Sequence, residues 1–405
     1  MVNVVLIGTM DTKRTEYEWL AQKVRDHGAQ VLTIDVGPYS DAPADISSTE
    51  VAAASGHELE ALLSAADRGR SMEAMATGAA SILTRLHDEG KVDGVLAVGG
   101  SGGSAVASHA MQALPVGVPK LLVSTMASGD VAPYVGETDI TLMYSVVDVA
   151  GINSISEHVF GNAAAAIVAM AQEESARRSR PAGDHAPLIG LSMFGLTTPA
   201  VDEAREELVE LGYEPLVFHA TGAGGRALEK LAAEGRLAGV LDLTTTELAD
   251  DLVGGVLSAG PQRLEGAGAA GIPQVVSLGA LDMVNFGPRE TVPDRFDGRS
   301  FIVHNPTVTL MRTTAEENAE LGRRIGAKLA AATGPTTVII PRAGLSGIDE
   351  EGGPFFDPEA DAALFTALVE ALEGSTVEIL DRDLSLNQPG FGRDAARRLH
   401  DLITT

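Results

Sequence analysis

Short runs of apolar, mostly β-branched residues recur along the chain, each ending in Gly, Ser, Thr or Asp and followed by a longer stretch rich in Ala, Leu and Glu. Such runs, bounded by turn formers, predict strands, and the stretches between them predict helices. Regular alternation of the two predicts parallel βαβ units and the fold class α/β. In the first half the predicted strands are Val4–Gly8, Val31–Val36, Gly94–Val98, Lys120–Ser124 and Thr141–Val147. Helices are predicted at Thr15–His27, Met72–Glu89, Ser104–Leu114 and Asn153–Gln172. The polar segment Glu173–His185, interrupted by Pro181 and Gly183, predicts a boundary between an N-terminal domain of residues 1–180 and a C-terminal domain of residues 186–405. Beyond it, strands are predicted at Leu188–Leu191, Pro215–His219, Gly239–Leu243, Gln274–Leu278, Phe301–His304, Thr337–Pro341 and Thr376–Asp381, each feeding a loop and then a helix. The two halves share an outline, with Ile7-Gly8-Thr9-Met10 matched by Ile189-Gly190-Leu191-Ser192-Met193 before a charged helix.

Charge narrows the partners. The 405 residues carry 29 basic and 56 acidic side chains, a formal charge of −27. Such a surface repels phosphate backbones and anionic lipid at long range, so neither nucleic acid nor a membrane surface is expected as a partner. The absence of cysteine removes disulfides, thiolate metal sites and cysteine nucleophiles, and fits a cytoplasmic location. The opening MVNVVLIGTMDTK has too short an apolar run for a signal peptide, and no stretch reaches the ~20 apolar residues that span a bilayer.

In an open parallel sheet, ligands sit beyond the carboxyl ends of the strands, so the polar residues after each apolar run are the candidates. The sharpest is Gly99-Gly100-Ser101-Gly102-Gly103-Ser104, where glycines admit an anion to the backbone N–H groups and a helix N-terminus adds a favourable field. A tight strand-to-helix turn explains the same residues without a ligand. The motif is neither a P-loop nor a GxGxxG fingerprint. Gly8-Thr9-Met10-Asp11-Thr12-Lys13 brings hydroxyls, a carboxylate and an ammonium together, with Lys13 suited to a phosphate and Asp11 to Mg²⁺. Ser124, Thr125, Ser128 and Gly129 form a further small polar loop.

In the second half, His219-Ala220-Thr221-Gly222-Ala223-Gly224-Gly225-Arg226 is a second candidate anion turn, and Thr244-Thr245-Thr246-Glu247 offers hydroxyls or a helix cap. His219, Asp242, Asp282, His304 and Arg342 fall at or near predicted strand ends, where a convergent polar cleft is expected if they meet. No HxH, HExxH or EF-hand pattern marks a metal cage, and no GxSxG elbow marks a hydrolase.

In order and register these loops resemble the Tm-one-like ATP-binding family, which includes the N-terminal region of a plant tobamovirus-resistance protein and uncharacterised bacterial and fungal proteins. The resemblance covers nearly the whole chain and is carried by Gly8–Lys13, Gly99–Gly103, Val123–Asp130, Asp148–Asn153, Met193–Pro199, Val217–Gly225, Asp242–Glu247, Asp282–Gly287, His304–Thr314 and Gly347–Pro358. It implies a pair of Rossmann-like domains, ATP bound in the N-terminal half and a homodimer. Arg14 stands where the family pattern has glycine, and Leu386-Asn387-Gln388 keeps the asparagine alone of a His/Ile-Asn-Asp pattern.

The expectation is an enzyme that holds ATP–Mg²⁺ at the first domain and a small anionic metabolite at the second, with His219 or His304 as acid–base and Arg342 as carboxylate clamp. The alternatives are a non-catalytic, nucleotide-regulated protein-binding module, and an isomerase or lyase that uses the anion loops for its substrate without ATP.

Overall fold

The strands predicted for the first half pair side by side in one parallel sheet. The computed structural model describes residues 1–180, 183 and 185–405, and the chain divides into two units, residues 1–183 and 184–405. The N-terminal unit runs β1 (Asn3–Gly8), α1 (Met10–Asp26), β2 (Gln30–Asp35), α2 (Ser48–Ala54), α3 (Leu59–Ser64) and α4 (Arg68–Asp88). It continues through β3 (Gly94–Gly99), α5 (Ser101–Gln112), β4 (Lys120–Ser124), α6 (Ala132–Val135), β5 (Thr141–Tyr144) and α7 (Ser154–Arg178). The sheet order is β2-β1-β3-β4-β5, all parallel.

Both sheet faces are covered, which is why its strands read as unbroken apolar runs. Val5, Ile7, Val95 and Ala97 meet Met75 and Leu83 of α4 and Val106 and Met111 of α5. Val4, Leu6, Leu96 and Val98 point the other way, onto Leu20 and Val24 of α1 and Phe160 and Ile167 of α7. Helix starts follow local chemistry: Ser47 with Glu50 makes a reciprocal cap for α2, Asp67 caps α4 and Asn153 caps α7.

Several boundaries differ from expectation. α1 starts at Met10 rather than Thr15, so Asp11, Thr12 and Lys13 lie in its first turn, with a local break at Lys13 (φ −134°, ψ 27°). α5 starts at Ser101, which makes Gly102 and Gly103 helical. α7 runs on to Arg178, into the segment expected as linker; of that segment, Pro181, Ala182 and Asp184 lie outside the described residues. Helices α2 and α3 were not expected.

The C-terminal unit contains β6 (Leu188–Met193), α8 (Thr198–Glu210), β7 (Glu214–His219), α9 (Ala223–Ala233), β8 (Gly239–Thr244), α10 (Thr246–Val253) and α11 (Gly266–Ala270). Then follow β9 (Gln274–Gly279), β10 (Met283–Phe286), β11 (Phe301–Asn305), β12 (Val308–Arg312), α12 (Ala315–Ala330), β13 (Thr336–Pro341), α13 (Pro358–Ala371), β14 (Glu378–Arg382) and α14 (Phe391–Thr404). Six strands form a parallel sheet in the order β14-β13-β9-β8-β6-β7. Both units are thus mostly parallel sheets flanked by helices, a Rossmann-like architecture.

One prediction fails here. Phe301–His304 does not feed a helix but pairs antiparallel with β12, in a separate sheet of order β10-β12-β11. β10 and β12 escaped notice because each is short and carries a buried polar residue, Asn285 and Thr309 respectively, that breaks the apolar run. This small sheet shares an apolar cluster with Phe194 and Leu196, in which Met283, Leu310 and Phe355 are buried. No helix among the described residues is long and apolar enough to cross a membrane.

Candidate functional site

From β1 the N-terminal sheet first grows outward to β2, then returns past β1 to β3 and continues to β4 and β5. At such a reversal the loops after the two central strands part and leave a crevice at their carboxyl ends. Tyr17 of α1 ties the two strands together. Its buried ring occupies the place of a Gly8 side chain, since a Cβ there would fall 1.9 Å from the ring. Its hydroxyl donates to the Ile7 carbonyl at 2.5 Å and accepts the Val98 N–H at 2.9 Å, bridging β1 and β3 at the end of their pairing, where Ile7 lies opposite Ala97. Burial pushes the Tyr17 phenol well above its ordinary pKa and keeps it neutral.

The loops after these strands line a cleft of about 510 Å³, within the size range of cofactor sites. One wall is Thr9, Asp11, Thr12 and Lys13; another is Gly100, Ser101, Gly102 and Gly103; Pro38, Tyr39, Arg68, Ser71 and Met72 complete it. The two loops singled out in the first half therefore do meet, and Thr9 Oγ1 would lie 3.7 Å from a Cβ on Gly103.

The start of α5 forms one end of this cleft. Its N-cap is Gly100, which has no side chain to offer, so the first N–H groups of the helix have no side-chain cap. Neither conformation nor packing requires glycine at positions 100, 102 and 103. None has a positive φ, and an added Cβ would meet nothing closer than Met72 Cε at 3.3 Å from Gly102. Gly99 is different, because a Cβ there would press on Gly103 and the Ser104 N–H at 3.1 to 3.3 Å. Arg68 at the start of α4 brings a guanidinium nitrogen 3.8 Å from a Gly102 Cβ, and forms no hydrogen bond or ion pair among the described residues. Lys13 donates from its ammonium to the Val149 carbonyl, which holds the side chain along the cleft wall and leaves two further N–H donors.

Asp11 is the one carboxylate in the lining; its Oδ2 accepts the Tyr39 N–H at 3.3 Å. No group of three or more metal-ligating side chains occurs among the described residues, so Asp11 would share a cation with ligand oxygens. Asp35 at the end of β2 is buried and accepts N–H groups from Met10 and Gly37 at 3.1 and 2.9 Å; burial raises its pKa. Of the remaining loop, Ser124 Oγ bonds Ser104 Oγ at 2.6 Å and accepts the Met126 N–H, a structural use. Thr125 reaches toward Gly100, its Oγ1 3.9 Å from a Cβ there, whereas Ser128 and Gly129 are exposed outside the lining.

The second glycine turn is the main correction. Its anion is supplied by the chain: Glu247 Oε1 accepts the N–H groups of Gly222 and Gly225 at 2.6 and 3.1 Å. Glu247 Oε2 in turn accepts from Arg263 Nε at 2.6 Å, and Arg263 also binds Asp242 and Glu229. Burial raises the Glu247 pKa against the pull of Arg263. Burial disfavours the Arg263 charge as well, but Asp242, Glu247 and Glu229 hold it firmly protonated. Gly224 and Gly225 are needed for packing, since Cβ atoms there would fall 1.9 Å from the His219 carbonyl oxygen and 2.0 Å from Glu247 Oε2. Two more helix starts of this unit are closed in the same way, α11 by Glu229 and α14 by Glu203.

The other expected substrate ligands are also spent. Asp242 accepts from Ser192 Oγ at 2.6 Å, and Thr244 Oγ1 bonds Thr197 Oγ1 at 2.7 Å. Thr245 donates to the Ser277 carbonyl, Thr246 accepts from Asn285, and all of Thr244–Glu247 are buried. Thr221 turns back to the His219 carbonyl. His219, at the end of edge strand β7, is exposed and stacks on Phe194 with ring centroids 5.8 Å apart. Arg342 follows β13, bonds Asp381 at 2.6 Å and lies over the Phe365 ring. Four strand spacings separate β7 from β13, roughly 19 Å. His304 is exposed on β11, outside the parallel sheet altogether. The three do not converge.

Sequence reasoning missed Tyr17, Tyr39, Arg68 and Arg263. The exposed start of α4 at Arg68, after the Asp67 cap, was legible in Asp67-Arg68-Gly69-Arg70; the others depend on partners distant in the chain.

Comparison with known proteins agrees along the whole length. A protein from Clostridium tetani called UPF0261 protein is 48% identical over 402 residues, 99% of this chain and 98% of that one. A Rhizobium meliloti protein of the same designation is 47% identical over 406 residues, covering 99% of each chain. The ToMV resistance protein Tm-1(GCR237) of Solanum lycopersicum is 40% identical over 392 residues, 92% of this chain and 52% of that protein. Among solved structures, a putative UDP-N-acetylglucosamine 2-epimerase from Listeria monocytogenes covers 96% of its chain at 13% identity and a TM-score of 0.22, a likeness that carries no argument. Residues 2–176 match the N-terminal domain and residues 186–403 the C-terminal domain of one family model, so the chain belongs to the uncharacterised protein family UPF0261.

Proposed function

We propose that the N-terminal unit binds the phosphate chain of a nucleotide, ATP with Mg²⁺, in the cleft between β1 and β3. The observation that carries this reading is the start of α5: N–H groups without a side-chain cap, behind glycines that the chain's own packing does not require. Glycine inside a helix sacrifices up to about 1 kcal/mol relative to alanine, a loss that close approach of a ligand to the backbone would explain. Arg68 and Lys13 supply positive charge on the walls, and Asp11 is placed to share Mg²⁺ with phosphate oxygens.

For the C-terminal unit the enzyme reading loses its motive, because its anion turn is filled by Glu247 and its candidate catalytic groups are scattered. Phe194 and Leu196, which follow β6 in the chain, pack with Phe355 in one apolar cluster. This apolar packing favours the second reading, a nucleotide-regulated binding module.

Calorimetry with ATP–Mg²⁺ and AMP tests the site. Gly102→Val is expected to weaken ATP at least about tenfold by blocking backbone approach, and Arg68→Ala to weaken ATP more than AMP. Unchanged affinities in both variants, with the helical circular dichroism intact, overturn the phosphate site.

A further inference from the structure

The cleft has a wall that the phosphate reading does not use. Tyr39 lines it beside Pro38 and is 73% exposed, whereas Tyr17 and Tyr213 are buried. Neither its ring nor its hydroxyl has a partner among the described residues, so nothing within the chain explains an aromatic side chain at this place. The backbone beneath it, by contrast, is tightly held. Gly37-Pro38-Tyr39-Ser40 is a turn closed by the Ser40 N–H on the Gly37 carbonyl at 3.1 Å, and proline in its second position presets the geometry. The Gly37 N–H bonds Asp35 at 2.9 Å, and the Val36 N–H bonds the Gly8 carbonyl at 2.9 Å. The Tyr39 N–H reaches Asp11, and Gly37 lies so close to Asp11 that a Cβ would fall 2.6 Å from its Cγ. The turn is therefore fastened to both β1 and the first turn of α1, with its aromatic ring left uncovered.

We infer that Tyr39 is a platform on which the base of the bound nucleotide stacks. This rests on the phosphate reading of the same cleft and extends it to the nucleoside. A fixed backbone carrying an open aromatic face is pre-organised for a flat partner, because little ordering remains to be done on binding. The cleft volume of about 510 Å³ suits a whole nucleotide. Arg68 lies near Gly102, and the Pro38–Tyr39 turn lines the same cleft. Because every base has a π-face, such a platform favours nucleotides over bare polyphosphate without selecting strongly between purines.

The test measures ATP and inorganic tripolyphosphate binding, each with Mg²⁺, to the full chain and to Tyr39→Ala and Tyr39→Phe. Stacking predicts that Tyr39→Ala weakens ATP by about fivefold or more while tripolyphosphate is unaffected, and that Tyr39→Phe restores ATP. The exposed ring predicts an unchanged melting temperature in both variants. Equal ATP affinity in wild type and Tyr39→Ala overturns the platform and leaves the phosphate site standing. Equal losses for ATP and tripolyphosphate also overturn it, by making Tyr39 a support of the phosphate end. Failure of the wild-type chain to bind either ligand overturns the phosphate reading itself.

Discussion

Tyr17 shows how one residue ties two strand ends together. Its hydroxyl bonds both the Ile7 carbonyl and the Val98 N–H, at the last paired position of β1 and β3. Removing only that oxygen, as in Tyr17→Phe, leaves a buried N–H without its partner and is expected to destabilise the protein by about 1–3 kcal/mol. Urea unfolding checks this; a loss below a few tenths of a kcal/mol contradicts the bridge. In the sequence Tyr17 is one more apolar position on a helix face. Its role was illegible because the partner strand position lies 81 residues away.

Among the elements, the two glycine turns read alike as sequence and behave oppositely as structure. Gly99–Gly103 opens a helix whose start has no side-chain cap, whereas Gly222–Gly225 opens one already occupied by Glu247. Substitution separates them. Gly103→Ala meets nothing closer than Thr9 Oγ1 at 3.7 Å and is expected to raise stability by up to about 1 kcal/mol through helix propensity, while weakening the nucleotide. Gly224→Ala drives a Cβ onto the His219 carbonyl oxygen and is expected to lower the melting temperature markedly. Thermal melts of the two variants decide; movement in the same direction contradicts the distinction. The parallel strands were legible because burial on both faces makes them continuous apolar runs, as in Gly94–Gly99. The antiparallel sheet was not, because Asn285 and Thr309 are held inside by cross-chain packing that no local pattern announces.

Over the whole molecule, the C-terminal unit buries more negative charge than it compensates. Asp282, Asp349 and Asp361 share Arg312, and Asp282 Oδ1 has no hydrogen-bond partner. Burial, then mutual repulsion, pushes the Asp349 carboxyl up; burial also raises Asp282 and Asp361, and raises Asp250 to about 7. Each holds its proton more tightly folded than unfolded, where carboxyls titrate near ~4, so folding takes up protons between these values. Stability is therefore expected to fall as pH rises from ~4 through about 7 and onward as the trio ionises, and the formal charge of −27 acts in the same direction. Urea midpoints at acidic and alkaline pH test this, with Asp349→Asn expected to flatten the slope; stability rising with pH contradicts it. The sequence by itself determined the α/β class, the parallel strands and the loops at their ends, because hydrophobic period and turn chemistry are local. Tertiary structure alone decided which of those loops remains open to a ligand. That depends on whether a carboxylate such as Glu247, 22 to 25 residues from the N–H groups it accepts, folds back to satisfy them first.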